Sequence, residues 1–325
     1  MKKIFVTRWI PKECREPYAG SYEIICPEEE EASFSREEIE KGAEQCDVLY
    51  CVGGVPCRKD LIDKTGDSRV IGNFGVGYDN VDVEYATQRG KLIINTPDKV
   101  TRVTAEHAIA LMFAAARSIP LYDRELRETR RCVKKAMFLD RDMLLEGKTY
   151  GVVGFGRIGQ AAAKMAQGLG MQVAFYTTHP PKEEEQQRMG MYYLPFDELL
   201  KEADVISCHI PYRKENHHLF HLETFRTMKP SSYFINVARG PVMNERDLAI
   251  ALKEGSIRGA ATDVFEFEPE VTEELAGLPN VVLTPHIGSC VREARTAMAS
   301  EGLAGIVSAL EGTIPKNAVN PQAWS

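Results

Sequence analysis

The sequence predicts an α/β protein of two domains, each a doubly wound parallel sheet. Three observations carry that expectation. At 325 residues the chain exceeds what one core fills, and two domains sharing an interface are the usual solution. Short apolar runs alternate with amphipathic stretches in two successive blocks, the rhythm of parallel strands joined by helical crossovers. One long apolar helical segment separates the blocks.

In the first block, residues 3–7, 48–51, 69–73 and 92–95 read as buried strands, and residues 36–45 and 83–89 as helices. Residues 101–117 are helical, with Ala105, Ala108, Ile109, Met112, Phe113 and Ala116 forming an apolar face broad enough to be buried on two sides. Residues 122–131 carry both charge signs and read as a solvated or subunit-contacting face. The second block opens at Thr149, with strands at 149–153, 172–176, 205–209, 232–237, 260–263 and 281–283. Six strands joined by crossovers suit a doubly wound fold. A helical stretch follows Ser289 through Leu310, and the Pro- and Asn-containing tail 312–325 is free to return to the first domain.

Composition narrows the function. Apolar residues make up 44% and charged residues 27%, ordinary for a folded globular chain. The net charge of −7 offers no broad cationic field for a phosphodiester backbone, so no nucleic-acid partner is expected. The opening apolar run is too brief for a signal-peptide core and no stretch reaches membrane-spanning length, so no membrane partner is expected either. Cys14, Cys26, Cys46, Cys51, Cys57, Cys132, Cys208 and Cys290 are scattered without metal-ligand spacing, which points to reduced thiols and a cytoplasmic setting. His217, His218 and His221 have no carboxylate or thiol at ligand spacing, so the expectation is a solvated helix start and no metal.

The first chemical motif is Gly154-Phe155-Gly156-Arg157-Ile158-Gly159, a G-x-G-x-x-G between an apolar strand and an Ala-rich helix. Gly154 permits the tight turn, Gly156 lets the backbone approach a pyrophosphate, and Gly159 allows close packing of helix on strand. This context predicts dinucleotide binding, with Arg157 and Ile158 beside the phosphates. At the end of the next strand, readers of NAD normally place a carboxylate where Thr177 stands. Without its repulsion, Thr177, Thr178, His179, Lys182 and Arg157 are free to hydrogen-bond a 2′-phosphate. NADP is favoured over NAD, with NAD left open.

Three later segments each follow a predicted strand: Asn236-Val237-Ala238-Arg239-Gly240, Thr262-Asp263-Val264-Phe265-Glu266-Phe267-Glu268-Pro269, and Thr284-Pro285-His286-Ile287-Gly288-Ser289. In open α/β folds the carboxyl edge of the sheet is where ligands bind. Together with the glycine motif, these segments resemble the D-isomer-specific 2-hydroxyacid dehydrogenase family across most of the chain. The resemblance implies a Rossmann-type nucleotide domain over residues 99–289, a flavodoxin-like substrate domain from residues 1–98 and 290–325, and a homodimer. It implies reduction of a small 2-keto acid to its D-2-hydroxy acid, with Arg239, Glu268 and His286 as the catalytic set. The residue types suit the task. Histidine, with an unperturbed pKa near ~6.5, can give and take a proton around neutrality. A carboxylate on its other nitrogen fixes the tautomer, and a guanidinium fork grips the substrate carboxylate.

By the same resemblance, Asp263 lies near the nicotinamide amide, with a capping role as the alternative. Ile210 and Pro211 border a cofactor ribose, Thr104 lies near the nicotinamide, and Val237, Ala238 and Gly288 line the cofactor. Asn73-Phe74-Gly75-Val76-Gly77-Tyr78 resembles the family's substrate loop, where the amides of Val76 and Gly77 bind the substrate carboxylate and Gly53 forms another wall. Asp98-Lys99 and Arg102 depart from the family pattern. Within the family the chain looks closest to glyoxylate and hydroxypyruvate reductases. Glu268 disfavours the formate-oxidising branch, which pairs its His with Gln. A non-catalytic dinucleotide-sensing regulator and a phosphite dehydrogenase remain alternatives.

Overall fold

The computed structural model describes residues 1–132 and 142–324. The chain divides into two compact units, Met1–Val100 with Cys290–Ser325, and Thr101–Ser289.

The first unit holds five parallel strands, β1 (Lys2–Val6), β2 (Tyr22–Ile25), β3 (Val48–Cys51), β4 (Val70–Asn73) and β5 (Leu92–Ile94), in the order β2-β1-β3-β4-β5. That is the flavodoxin-like order. Both β3 and β4 are buried along their whole length, so they read as continuous apolar runs. β2 was not expected from the sequence. It is an edge strand with no fully buried residue, and its signal is correspondingly weak. The chain returns at its C-terminus. Helix Arg292–Leu310 lies against this sheet, with Gly72 left bare for the Tyr50 ring and Ile306, and Gly302 left bare for the Tyr50 hydroxyl. The buried Asn320 accepts from the Ile93 N–H at 2.7 Å and donates to Lys91 O at 2.9 Å, fixing the tail beside β5.

The second unit holds seven parallel strands: β6 (Thr149–Val153), β7 (Gln172–Tyr176), β8 (Tyr192–Tyr193), β9 (Val205–Cys208), β10 (Tyr233–Asn236), β11 (Gly259–Thr262) and β12 (Val281–Leu283). Their order is β12-β11-β10-β9-β6-β7-β8. Counted within the unit, this is the Rossmann order 3-2-1-4-5-6 with one more strand beyond it. Six strands were expected. The seventh, β8, is a two-residue edge strand that no periodicity could announce. The expected apolar helix is Thr101–Ala116, and its buried Ala105, Ala108, Met112 and Ala116 share a core with Ala162, Ala163 and Ala166 of helix Arg157–Gly168. Small side chains on both helices permit close approach. Among the described residues no helix is long and apolar enough to cross a membrane.

All strands of the unit being parallel, their carboxyl ends meet one edge. Gly154, Ile210, Arg239, Asp263 and His286 all follow strand ends there, and the strand order reverses between β6 and β9. Such a switch point opens a crevice in this fold.

Candidate active site

At the end of β6, Gly154 takes φ 100°, a value side chains rarely adopt. A Cβ on it would also meet Ile210 N at 2.8 Å and His209 C at 2.9 Å, so the switch point closes only around glycine. Gly156 caps helix Arg157–Gly168 without any side-chain cap, and nothing lies within 4 Å of where its Cβ would be. Gly159 backs onto the Gly154 carbonyl with no room for a Cβ. Bare N–H groups, a helix N-terminus and an open approach fit an anionic group such as a cofactor pyrophosphate. Arg157 is exposed and Ile158 half-buried at this end of the helix, and Pro211 is exposed just beyond Ile210. Behind the turn, His209 is held neutral, burial pushing it down to about 4.

A pocket of about 200 Å³ opens beside the turn, lined by Phe155, Gln160, Thr177, His179, Pro181, Glu185 and Met189. Phe155 stacks on Phe175 at 3.9 Å, which fixes one wall. Thr178 is exposed and its hydroxyl lies 3.0 Å from His179 Nδ1. No carboxylate stands between the end of β7 and Lys182. Glu185, from helix Glu183–Met189, nevertheless reaches the same pocket.

A histidine–carboxylate pair forms just beyond the ends of β11 and β12. His286 Nδ1 lies 3.0 Å from Glu268 Oε2, while Glu268 Oε1 accepts from the Phe265 N–H at 3.0 Å. Both side chains are half-exposed, as groups that must meet a solute require. Burial pushes the Glu268 carboxyl up. The hydrogen bonds from His286 and the Phe265 N–H, with the charges of His286 and Arg239, outweigh it and hold the group below its ordinary value. Arg239 is therefore close enough for Glu268 to feel. It leaves β10 through a turn built by the fully buried Asn236, which accepts from the Ala238 N–H at 3.0 Å and donates to Arg239 O at 3.2 Å. Val237 is buried and Ala238 half-buried in that turn. Next to it, Gly240 sits against the backbone of Phe265 and Glu266 with no space for a Cβ.

His286 stands at φ 53°, and Asp263 holds it there. One Asp263 oxygen accepts from the Ile287 N–H at 2.8 Å and the Thr284 hydroxyl at 2.7 Å, and the other accepts from the Gly288 N–H at 2.7 Å. His107 Nε2 lies 3.2 Å from the first. Burial raises the Asp263 carboxyl, and the bonds from His107, Thr284 and the Ile287 N–H more than reverse it. The side chain is 2% exposed, and its oxygens are engaged by the 284–288 loop and His107. Gly288 is bare against Asp263, with Thr104 and His107 beside it, so Thr104 belongs to this cluster. Neither Asn236 nor His107 was singled out from the sequence. Asn236 was legible as a polar residue at a strand end, whereas His107 sits inside an apolar helix with no local sign of its partner.

In the first unit, the carbonyls of Val76 and Gly77 accept from Asn95 at 3.0 Å and Asn73 at 2.9 Å. Among the described residues their N–H groups find no protein acceptor, leaving two adjacent donors. Gly53 takes φ 87° with the Arg8 side chain alongside. The His cluster differs from expectation. His217 and His218 stack at 3.8 Å ahead of the helix, and Glu266, distant in sequence, meets His218 Nε2 at 2.6 Å, so one carboxylate does stand at ligand distance.

Comparison with known proteins agrees with this geometry. The profile of the D-isomer specific 2-hydroxyacid dehydrogenase, NAD binding domain, matches residues 109–288. The chain is 39% identical over 323 residues to glyoxylate reductase of Pyrococcus furiosus and 41% identical over 326 positions to that of Thermococcus litoralis, spanning 98% of this chain and 96% of each relative. Among solved structures, a Thermus thermophilus protein superposes with a TM-score of 0.87 at 33% identity, covering 98% of this chain and 99% of that one. An NADPH-dependent glyoxylate/hydroxypyruvate reductase from Sinorhizobium meliloti gives 0.83 at 28% identity, with 99% of both chains covered. With the profile spanning more than half of the chain and relatives near 40% identity along its length, the chain belongs to the D-isomer-specific 2-hydroxyacid dehydrogenase family and is an NAD(P)-dependent oxidoreductase.

Proposed function

We propose that the protein reduces a small 2-keto acid of the glyoxylate or hydroxypyruvate type to its D-2-hydroxy acid, with His286 as the proton donor. The observation that carries this reading is the 3.0 Å contact of His286 with Glu268 in a half-exposed position at the carboxyl edge of the sheet. The substrate class takes support from relatives named glyoxylate reductase and glyoxylate/hydroxypyruvate reductase.

Reduction builds negative charge on the substrate oxygen, so a proton delivered there lowers the barrier. With Nδ1 engaged by Glu268, the proton leaves His286 from Nε2. Glu268 fixes that tautomer and stabilises the imidazolium form. Arg239 grips the substrate carboxylate with its planar fork and polarises the keto oxygen. Within the first unit, the adjacent N–H groups of Val76 and Gly77, with Gly53, are assigned to substrate binding. The reduced nicotinamide supplies the hydride when bound. Gly154, Gly156, Arg157, Ile158 and Gly159 would hold its pyrophosphate, Ile210 and Pro211 would border a ribose, and Thr104, Val237, Ala238 and Gly288 would line the nicotinamide end. Asp263 serves that end through the loop it fixes. Thr177, Thr178 and His179 favour NADPH over NADH. We also assign the protein to the cytoplasm, on the scattered cysteines, and to a homodimer.

The test follows NADPH and NADH absorbance against glyoxylate, hydroxypyruvate, pyruvate and phosphite. Turnover is expected fastest with glyoxylate or hydroxypyruvate, and His286→Ala should lose about 10²-fold or more. A loss under about tenfold, or oxidation of phosphite without reduction of any keto acid, rejects the assignment.

A further inference from the structure

Glu245 is a carboxylate with no exposed surface, and the proton chemistry proposed above does not use it. Burying such a group is costly unless hydrogen bonds fill its lone pairs. One short segment fills them here. Oε2 accepts from the Glu266 N–H at 3.0 Å, and Oε1 accepts from the Thr272 N–H at 2.6 Å and the Thr272 hydroxyl at 2.7 Å. The bond is returned: the Glu245 N–H donates to Glu266 Oε2 at 3.3 Å, while Glu266 Oε1 meets His218.

Residues 266 and 272 are the two ends of a loop, and Glu268 lies between them. Glu245 is itself fixed, as the first residue of helix Glu245–Glu254, whose cap Asn244 accepts from the Asp247 N–H at 3.1 Å. Glu268, by contrast, is half-exposed, and among the described residues its oxygens are bonded only by the Phe265 N–H and His286. A helix start thus grips both flanks of an otherwise solvent-facing loop.

We propose that Glu245 is a positioning residue, which sets Glu268 against His286 by clamping both ends of the 266–272 loop. This rests on the reading of Glu268 and His286 as the acid–base pair. Misplacing a catalytic group by about 1 Å costs on the order of 10²-fold in rate. Glu245→Gln keeps the shape but turns an NH2 toward an N–H donor, so at least one end is released. Its kcat is expected to fall about 10- to 100-fold, with KM for the nicotinamide cofactor within about twofold of wild type. The acid limb of the kcat profile should also move to higher pH. Glu268 is held below its ordinary value by His286, the Phe265 N–H and Arg239, and a displaced Glu268 titrates nearer that ordinary value.

Thr272→Val removes one bond and leaves the buried carboxylate in place. It should shift kcat and the acid limb in the same direction by a smaller factor, and it carries the test if Glu245→Gln does not fold. Glu268→Gln is the reference. If it is slow while folded Glu245→Gln and Thr272→Val keep the wild-type kcat and acid limb, the clamp is refuted and the acid–base reading stands. If Glu268→Gln itself turns over normally, that reading fails and the clamp with it. In the supporting outcome, Glu245→Gln combined with Glu268→Gln is no slower than Glu268→Gln alone.

Discussion

At Gly240 a single hydrogen atom separates two parts of the site. The residue follows Arg239 directly and rests on the backbone of Phe265 and Glu266, so any side chain there must push the Glu268 segment away from the Arg239 turn. Its φ is ordinary, which leaves packing rather than backbone freedom as the reason for glycine. Overfilling a packed contact costs about 1–3 kcal/mol, and the relief comes from moving whichever side is softer. Gly240→Ala is therefore expected to unfold at lower temperature and to lose at least about tenfold in kcat, since the softer side is the half-exposed loop bearing Glu268. Thermal unfolding and steady-state kinetics on the same preparation check it. A variant that is less stable yet fully active would show that the added methyl displaces neither the Glu268 loop nor Arg239. His286 is a related case: its φ of 53° is maintained by N–H bonds from Ile287 and Gly288 to Asp263, so the loop rather than the residue determines where the imidazole stands.

Among the elements, those that carry the chemistry were legible because each is a short run of apolar or small residues with a motif residue within three positions of its end. β6, β10, β11 and β12 announced themselves as short apolar runs; Gly154 and Asp263 come directly after β6 and β11, and Arg239 and His286 three residues after β10 and β12. The edge strands β2 and β8 were illegible for other reasons: Glu23 interrupts the apolar run of β2, and β8 is only two residues long. Contacts made across the sheet edge were hidden too: Glu245 and Glu266 are 21 residues apart and His218 and Glu266 are 48 apart, and no local spacing encodes such pairs. The pocket after β7 shows both outcomes. The missing carboxylate at Thr177 was readable in place, but Glu185 enters from helix Glu183–Met189. A carboxylate at Thr177 would restore repulsion against a 2′-phosphate, so Thr177→Asp should lower the ratio of kcat/KM for NADPH over NADH by at least about tenfold, roughly 1.4 kcal/mol. An unchanged ratio would mean that Thr177 does not face the cofactor's ribose.

For the molecule as a whole, helix Ile119–Thr129 has no buried residue, although it belongs to the nucleotide-binding unit. Ile119 and Leu126 lie seven residues apart, on one face with the half-buried Tyr122 between them, and are 53% and 50% exposed. Asp123, Arg124, Glu125, Arg127 and Glu128 take most of the other positions, so the helix is amphipathic, and among the described residues its apolar side is left largely exposed. A helix of this kind gains stability chiefly by burying that side, and closed two-fold pairing of identical surfaces is the commonest way for a chain to do so. The chain is accordingly expected to sediment at twice its 36.3 kDa mass. Leu126→Glu would place a carboxylate in the apolar contact, where it is costly unless paired. The variant should sediment as a monomer at micromolar concentration with near-wild-type circular dichroism. If it remains a dimer, or if the wild type is a monomer at every concentration tested, this helix is not the subunit contact.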